Sequence, residues 1–516
     1  MRSRALLLLL LAFTLLLRLT PYIESLTPYS TDSWGLLRNA MVLIANSPID
    51  LSEGVFDGYN NYWPAASILS AITVVVTNGD LYIISQFMPV LSFFAFIAIL
   101  YSIGRRVSKY ISVLHLITYV GLFYNYLLMT GGFTKESMAY PLYALILYFS
   151  YSEKSSLRML VLCLSAGFGL AFTHHLTTLV ALLTLLATLC YEALGALGSM
   201  DETRVFNMAI ALLTLLLCGF VQYISLGRYS ALAFASTWLG LSLASSTLFT
   251  VLIACGIEWL IGFSRNKALL SSRFKAIASV IAAYALMHLA IAIATWCMGS
   301  HWLTQGVLFL AIGFSIPVIL AVEFIREAYG ERPIVVIPWI LSILALGLFV
   351  VAEEIPNGFS ILYRSTSFLA LPLFLAASMS TSSVKRFSLL ITGLYASIML
   401  SAYILTQMGL TPELGWHWRY SISDYLAAGY LHNYYKGAVC SDVKYGSILR
   451  GLFSMSVSNW SSNCSGAIVL SLHMFTKGML LSPGVLRRIN VDELCSLLLS
   501  NSLVYNSGGG QWFFYS

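Results

Sequence analysis

WPAASILSAITVVVT, Trp63 to Thr77, is an apolar stretch of 15 residues closed by Asn78-Gly79-Asp80. A helix that crosses the hydrocarbon core of a bilayer needs about 20 residues. The way this one stretch is read sets the topology of the whole chain. Counted as a span, it puts Arg105, Arg106 and Lys109 outside; read as a re-entrant or interfacial helix, it puts them inside. The second reading gathers 16 of the 28 Lys and Arg residues in the inner loops, among them Arg2, Arg4, Arg265, Lys267, Arg273, Lys275, Lys385 and Arg386. The outer membrane loops keep 5 (Arg18, Arg38, Lys135, Arg228, Arg364), and the other 7 lie in the C-terminal tail. Cytoplasmic loops carry the excess of Lys and Arg, so the stretch is read as a helix that does not span.

Working outward, the other apolar segments are Ala5–Leu19, Leu81–Ile103, Ile111–Met129, Ser137–Tyr151, Leu157–Phe172, Leu176–Tyr191 and Val205–Ile224. They continue with Leu232–Phe263, Ala276–Met298, Trp302–Ile325, Ile334–Val351, Ser365–Met379 and Phe387–Leu405. The prediction is a mainly α polytopic transmembrane bundle of about 13 spans, with a cytoplasmic N-terminus. Residues 1–408 form this domain, with a long first outer loop at 20–80. Residues 409–516 form a small extracytoplasmic α/β domain. Composition agrees: 59% of residues are hydrophobic, 10% are charged, and mean hydropathy is +0.82. A soluble chain carries about 25% charge. No Lys/Arg run with interleaved aromatics points to nucleic acid. Arg2 and Arg4 precede an apolar run, but Arg18 and Thr20-Pro21 follow it instead of a small-x-small cleavage site, so it reads as a retained first span. Cys440, Cys464 and Cys495 lie in the tail, where an outside location permits one disulfide.

Within the tail, Ser423–Leu431 has an amphipathic helix pattern. Gly437–Asp442, Gly466–Ser471 and Ser502–Tyr505 read as strands, and Val485–Ile489 with Val491–Leu499 as a pair of helices.

Ionisable residues at the outer ends of spans are costly beside lipid, which makes them functional candidates. Four clusters stand there. Tyr29-Ser30-Thr31-Asp32-Ser33-Trp34 opens a helix reaching Asn46, with Leu36, Leu37, Ala40, Met41 and Ile44 on one face. Asp32 is either its N-cap or a carboxylate held at the membrane edge as a general base. Thr130-Gly-Gly-Phe-Thr-Lys135-Glu136-Ser137 starts an otherwise apolar span. Thr134 with Ser137 or Glu136 would cap it. Lys135 is a cation at a helix N-terminus, which a phosphate ligand at those amides would explain. Thr173-His174-His175-Leu-Thr177 sits at another outer turn and suits hydrogen bonding or proton relay better than metal ligation. Glu353-Glu354 precedes Tyr363-Arg364, where Arg364 either pairs with those carboxylates or binds phosphate.

These motifs resemble the GT-C superfamily of glycosyltransferases, which use polyprenyl-phosphate-linked sugars. STDSWGLLRNA (30–40) matches the Asp-bearing start of that family's first outer loop, and GYNNYWPAASIL (58–69) the surface helix after it. IGRRVSKY (103–110) matches the inner turn after span two, and TGGFTKESMAYP (130–141) the second outer motif. HHLT (174–177) and LYRSTSFLALP (362–372) complete a layout similar to archaeal oligosaccharyltransferase-like members. The first motif has one Asp instead of an Asp-x-Asp pair, and Lys135-Glu136 stands where oligosaccharyltransferases carry paired acidic residues. The tail lacks WWDYG, the signature that reads an Asn acceptor. A single-sugar transferase with a lipid-phosphate donor fits these departures better than oligosaccharyl transfer.

The resemblance implies an inverting glycosyltransferase acting at the outer face of the cell membrane on an acceptor protein or glycolipid. Asp32 would be the catalytic base. Lys135, Arg364, His174 and His175 would bind the donor phosphate, and Glu136, Glu353, Glu354 and Trp34 would contact acceptor or sugar. A divalent metal (Mg or Mn), if used, would sit on Asp32 and Glu136. The readings from other classes are a transporter or flippase for a lipid-linked or anionic substrate, and a non-catalytic membrane scaffold.

Overall fold

A computed structural model describes residues 2–46, 60, 62–107, 111–152, 156–195, 202–226, 315–321, 336–352, 358–383, 388–408, 418–459, 467–471, 474, 479–482, 485–487, 502–506 and 511–515. The chain is mainly α-helical, as expected. Two expected apolar segments, Leu232–Phe263 and Ala276–Met298, lie outside the described residues, as does most of Trp302–Ile325. Among the described residues, four helices are long and apolar enough to cross a membrane: Ala5–Ser25, Leu81–Val107, Thr203–Ser225 and Ser388–Gln407. Val113–Leu122, Leu157–Thr173 and His175–Cys190 are apolar but shorter.

The helices are α1 (Arg2–Ser25), α2 (Ser33–Ala45), α3 (Ala65–Thr77), α4 (Leu81–Val107), α5 (Val113–Leu122), α6 (Tyr124–Gly131), α7 (Lys135–Ser150), α8 (Leu157–Thr173), α9 (His175–Gly195) and α10 (Glu202–Ser225). After these come α11 (Val336–Ala352), α12 (Gly358–Ser383), α13 (Ser388–Gln407), α14 (Ile422–Tyr434) and α15 (Val443–Gly451). The segment Ile111–Met129, read as one span, is two helices. Phe123 between them takes an extended ψ of 117°, which breaks the ladder between α5 and α6.

The chain divides into two compact units. The first comprises 1–14, 92–126 and 139–401. Its helices are joined by hydroxyls as well as by apolar packing. Tyr143 Oη meets Thr184 Oγ1 at 3.2 Å, and Thr184 meets Ser342 Oγ at 3.3 Å, linking α7, α9 and α11. Tyr395 Oη on α13 donates to the Tyr119 carbonyl on α5 at 2.7 Å. Such bonds join helices where lipid gives no hydrophobic drive to associate.

The second unit comprises 15–91, 127–138 and 402–516. Here α3 is 13 residues long. At 1.5 Å per residue it reaches about 20 Å, short of the roughly 30 Å hydrocarbon core. One face, with Ala66, Ser67 and Ala71, packs on Leu36, Leu37 and Ala40 of α2. The other face exposes Leu69, Ile72, Val75 and Val76. Ala65–Thr77 is thus an apolar helix shorter than the four that are long enough to cross a membrane.

The ends of α1 and α13 are tied together in this unit. Tyr403 Oη donates to the Leu17 carbonyl at 2.8 Å. Arg419 donates to the Gln407 carbonyl at 2.8 Å and pairs with Glu24 at 2.9 Å. The two helices run in the same direction, so the loop after α1 and the tail after α13 leave from the same end of the pair.

The tail adds a five-stranded sheet in the order β2-β1-β3-β7-β6 (Val457–Asn459, Val439–Ser441, Ala467–Ser471, Gln511–Tyr515, Ser502–Asn506). The pairs β2-β1 and β1-β3 are parallel, and β3-β7 and β7-β6 antiparallel. The amphipathic helix forms as α14, with a capping box between Ser421 and Asp424. Val485–Arg487, expected as helix, is instead strand β5, paired antiparallel with β4 (Met479–Ser482). Runs of three to five apolar residues do not distinguish the two states, and cross-strand pairing decided this one. Val491–Leu499 lies outside the described residues. Cys440 is disulfide-bonded.

Candidate active site

The first two sequence clusters meet. Ser33 opens α2, and its hydroxyl donates to the Phe133 carbonyl at 2.9 Å, bridging to the turn before α7. The same oxygen lies 2.6 Å from the Tyr29 carbonyl, so both carbonyls surround one hydroxyl. Gly132 lies against Tyr29: a Cβ there would come within 2.4 Å of the Tyr29 carbonyl and 2.9 Å of the Ser30 Cβ. Only glycine lets the 131–134 turn approach the 29–33 loop this closely. The loop is held by the tail as well. Ser30 N donates to the Trp418 carbonyl at 2.7 Å, Thr27 Oγ1 to the Tyr420 carbonyl at 2.9 Å, and the Tyr29 and Trp418 rings lie 6.4 Å apart. Ser30 is held at φ 88°, a left-handed conformation that a non-glycine residue adopts only when its surroundings impose it.

Asp32 stands on this loop with its side chain exposed. It occupies the N-cap position of α2 but makes no cap hydrogen bond, because its backbone is already helical at φ −74°, ψ −20°. A capping side chain needs an extended backbone to fold back onto the helix amides. The cap reading of Asp32 is therefore corrected: the carboxylate is not engaged with the start of its own helix.

At the start of α7, Thr134 and Ser137 cap reciprocally. Ser137 N donates to Thr134 Oγ1 at 3.0 Å, and Thr134 N to Ser137 Oγ at 3.3 Å. Thr134 is thus the cap, and Lys135 and Glu136 stand in the first turn of α7. Both are buried. Lys135 Nζ stands 5.4 Å from the centroid of the Trp63 ring, within the range of a cation–π contact.

Trp34 was expected to touch acceptor or sugar, but it is wholly buried. Its indole meets the Tyr420 ring edge-on at 5.1 Å and stacks on Tyr425 at 6.2 Å. It belongs to the core shared by α2, α14, α15 and the sheet, so it anchors the loop and leaves no face for a ligand.

His174, His175 and Arg364 are built into the other compact unit. His174 is buried between α8 and α9, with Nδ1 2.7 Å from Thr177 Oγ1. His175 starts α9 and is exposed, its ring edge-on to that of His174 at 5.3 Å. Arg364 is half-buried on α12. Glu353 and Glu354 lie outside the described residues. Among the described residues, no three His, Cys, Asp or Glu side chains gather as metal ligands. Asp32 and Glu136 are two carboxylates, and Mg is commonly held by one or two carboxylates together with substrate phosphate, so these two residues would hold a divalent metal if one is used.

Sequence reasoning missed Ser33, Gly132 and Trp63 as working parts. The Gly131-Gly132 pair was the available signal, since paired glycines mark turns and close backbone approach.

No protein-family model matches the chain, and no curated protein sequence does. Solved structures do. The oligosaccharyltransferase of Archaeoglobus fulgidus, tethered to an acceptor peptide with an NVT sequon, superposes with TM-score 0.54 at 12% identity, over 90% of this chain and 69% of its own. The same enzyme in complex with Zn and sulfate gives TM-score 0.54 at 13% identity, over 90% and 68%. ArnT from Cupriavidus metallidurans bound to undecaprenyl phosphate aligns over 98% of this chain and 97% of its own at 12% identity, with a TM-score of 0.40 that is too loose to argue from. Taken with the apolar helices, the oligosaccharyltransferase superposition makes this a multi-pass membrane protein with a GT-C-like fold.

Proposed function

We propose that the chain is an inverting glycosyltransferase that moves a single sugar from a polyprenyl-phosphate donor to an acceptor at the outer face of the membrane. One observation carries the reading. The loop bearing the exposed Asp32 is bonded through Ser33 to the turn that carries Lys135 and Glu136. The GT-C-like fold is consistent with it.

In this reading Asp32 accepts the proton of the acceptor hydroxyl as its oxygen attacks the anomeric carbon. The bond from that carbon to the phosphate oxygen breaks with inversion, and polyprenyl phosphate leaves. Phosphate departs readily once its charge is neutralised, so the site needs cations more than a strong acid. Lys135, on the turn bonded to the Asp32 loop, supplies one, and Glu136 beside it contacts sugar or acceptor hydroxyls.

The test uses the full chain in proteoliposomes with a labelled polyprenyl-phosphate sugar. Asp32→Asn is expected to lower transfer by about 10²- to 10⁴-fold, the usual range for loss of a general base. Its melting temperature is measured alongside, so that loss of transfer through unfolding is told apart from loss of the base. Transfer at the wild-type rate by Asp32→Asn would sink the base assignment. Movement of intact donor across the bilayer, with no polyprenyl phosphate released, would favour the transporter instead.

A further inference from the structure

Helix α14 has two unlike faces. Asp424, Ala427, Ala428 and Leu431 point into the tail core. Ile422, Leu426, Tyr430 and Tyr434 recur at every fourth residue and are 50%, 60%, 37% and 75% exposed. Residues four apart line one ridge of a helix, so these form a continuous apolar strip along its whole length. The Tyr430 and Tyr434 rings lie 4.6 Å apart and extend the strip as one surface.

The position of the helix says what covers this strip. Arg419, three residues before α14, is bonded to the last residue of α13 and to Glu24 near the end of α1. Both of those helices are long and apolar enough to span. Three residues extend at most about 10 Å, so α14 begins at the level where α1 and α13 leave the membrane. Ile23 and Leu26, beside the Glu24 anchor, are exposed apolar residues at that same level. The composition suits the headgroup boundary, where aliphatic side chains enter the acyl region and tyrosines sit with their hydroxyls in the headgroups. The one carboxylate of the helix, Asp424, is buried on the opposite face, so the strip has no charge to desolvate. Lys436 follows the helix, exposed and bonded to the His432 carbonyl at 3.2 Å, as a cation for lipid phosphates.

We propose that the Ile422–Leu426–Tyr430–Tyr434 strip lies in the lipid headgroup region, making α14 an interfacial anchor of the tail. This does not depend on the reaction proposed above. It has a consequence for that reaction. Tyr420, two residues before α14, packs on Trp34, so the lipid contact sets the depth at which the Asp32 loop stands.

Photocrosslinking tests it. Benzoylphenylalanine is placed at Leu426 in the full chain, reconstituted in vesicles of phosphatidylethanolamine and phosphatidylglycerol. The control carries it at Arg450, exposed on α15. An unchanged melting temperature for each variant confirms that it folds. After irradiation, phospholipid adducts at position 426 are expected to exceed those at 450 by at least about fivefold, as an interfacial helix requires. Equal adducts at the two positions would overturn the proposal, as would a covalent dimer of the chain in place of lipid adducts.

Discussion

At the scale of single residues, Asp32 and Gly132 do complementary work. Asp32 offers an exposed carboxylate that its own helix does not use. Gly132 lets a second loop close behind it, with no room for a methyl group against the Tyr29 carbonyl. Gly132→Ala should force the two loops apart by part of an ångström or more. Misplacement of that size costs up to about 10²-fold in rate when reacting groups must be aligned. The expected result is a kcat lowered by about tenfold to a hundredfold with KM little changed, read from initial rates of sugar transfer. A variant with wild-type kcat would mean that the close approach does not position Asp32. The sequence showed which residues were chemically out of place, Asp32 and Lys135 above all. It could not show which of them capped a helix. Thr134 and Ser137 satisfied the α7 amides, and nothing at position 32 satisfied those of α2, because that depends on backbone angles that the residue type does not fix.

At the scale of elements, α2 is the piece on which the second unit is built. Leu36, Leu37 and Ala40 bury it against α3 and α4, while Trp34 buries it against the tail. Gly451 at the end of α15 comes so near that a Cβ there would lie 3.0 Å from the Gly35 amide. Trp34→Ala removes the largest fully buried side chain of this junction, at a cost of about 3–5 kcal/mol. A drop in melting temperature and rapid proteolysis of residues 409–516 are expected together. Loss of activity with an intact, protease-resistant tail would instead point to a ligand-contacting Trp34. The apolar face of α2 was legible from its spacing. The partners of Trp34 were not, since Tyr420 and Tyr425 come nearly 400 residues later and no local pattern announces them. The break at Phe123 was equally hard to read, because Gly121, two residues before it, is a residue that transmembrane helices commonly carry within them.

At the scale of the molecule, a buried charge cluster gives stability a pH dependence. Burial pushes the Lys444 ammonium below its ordinary 10.5, while Asp424 and Asp442 push it back up. Between that lowered value and 10.5 the unfolded chain holds more protons than the folded one. Stability therefore rises with pH across that window. Lys444→Met should flatten the rise, as read by melting in detergent from about pH 8 to 10.5. Parallel slopes would show that Lys444 keeps its proton throughout. Hydropathy, basic-residue placement and a few strand patterns were enough to anticipate a membrane bundle followed by an α/β tail. They could not show that the loop after the first helix folds with that tail.

The Arg419 staple also bears on how the protein is made. Tyr403 and Leu17, which it reinforces, are 386 positions apart in the chain. At about 5–20 residues per second, a ribosome needs on the order of 20 to 80 s to travel from one to the other. For that interval α1 is in place without its lasting neighbour, and the loop bearing Asp32 has neither Trp418 nor Tyr420 to hold it. The loop can take its final form only once Trp418 and Tyr420 have been made. A chain that stops short of them has no finished site to misuse.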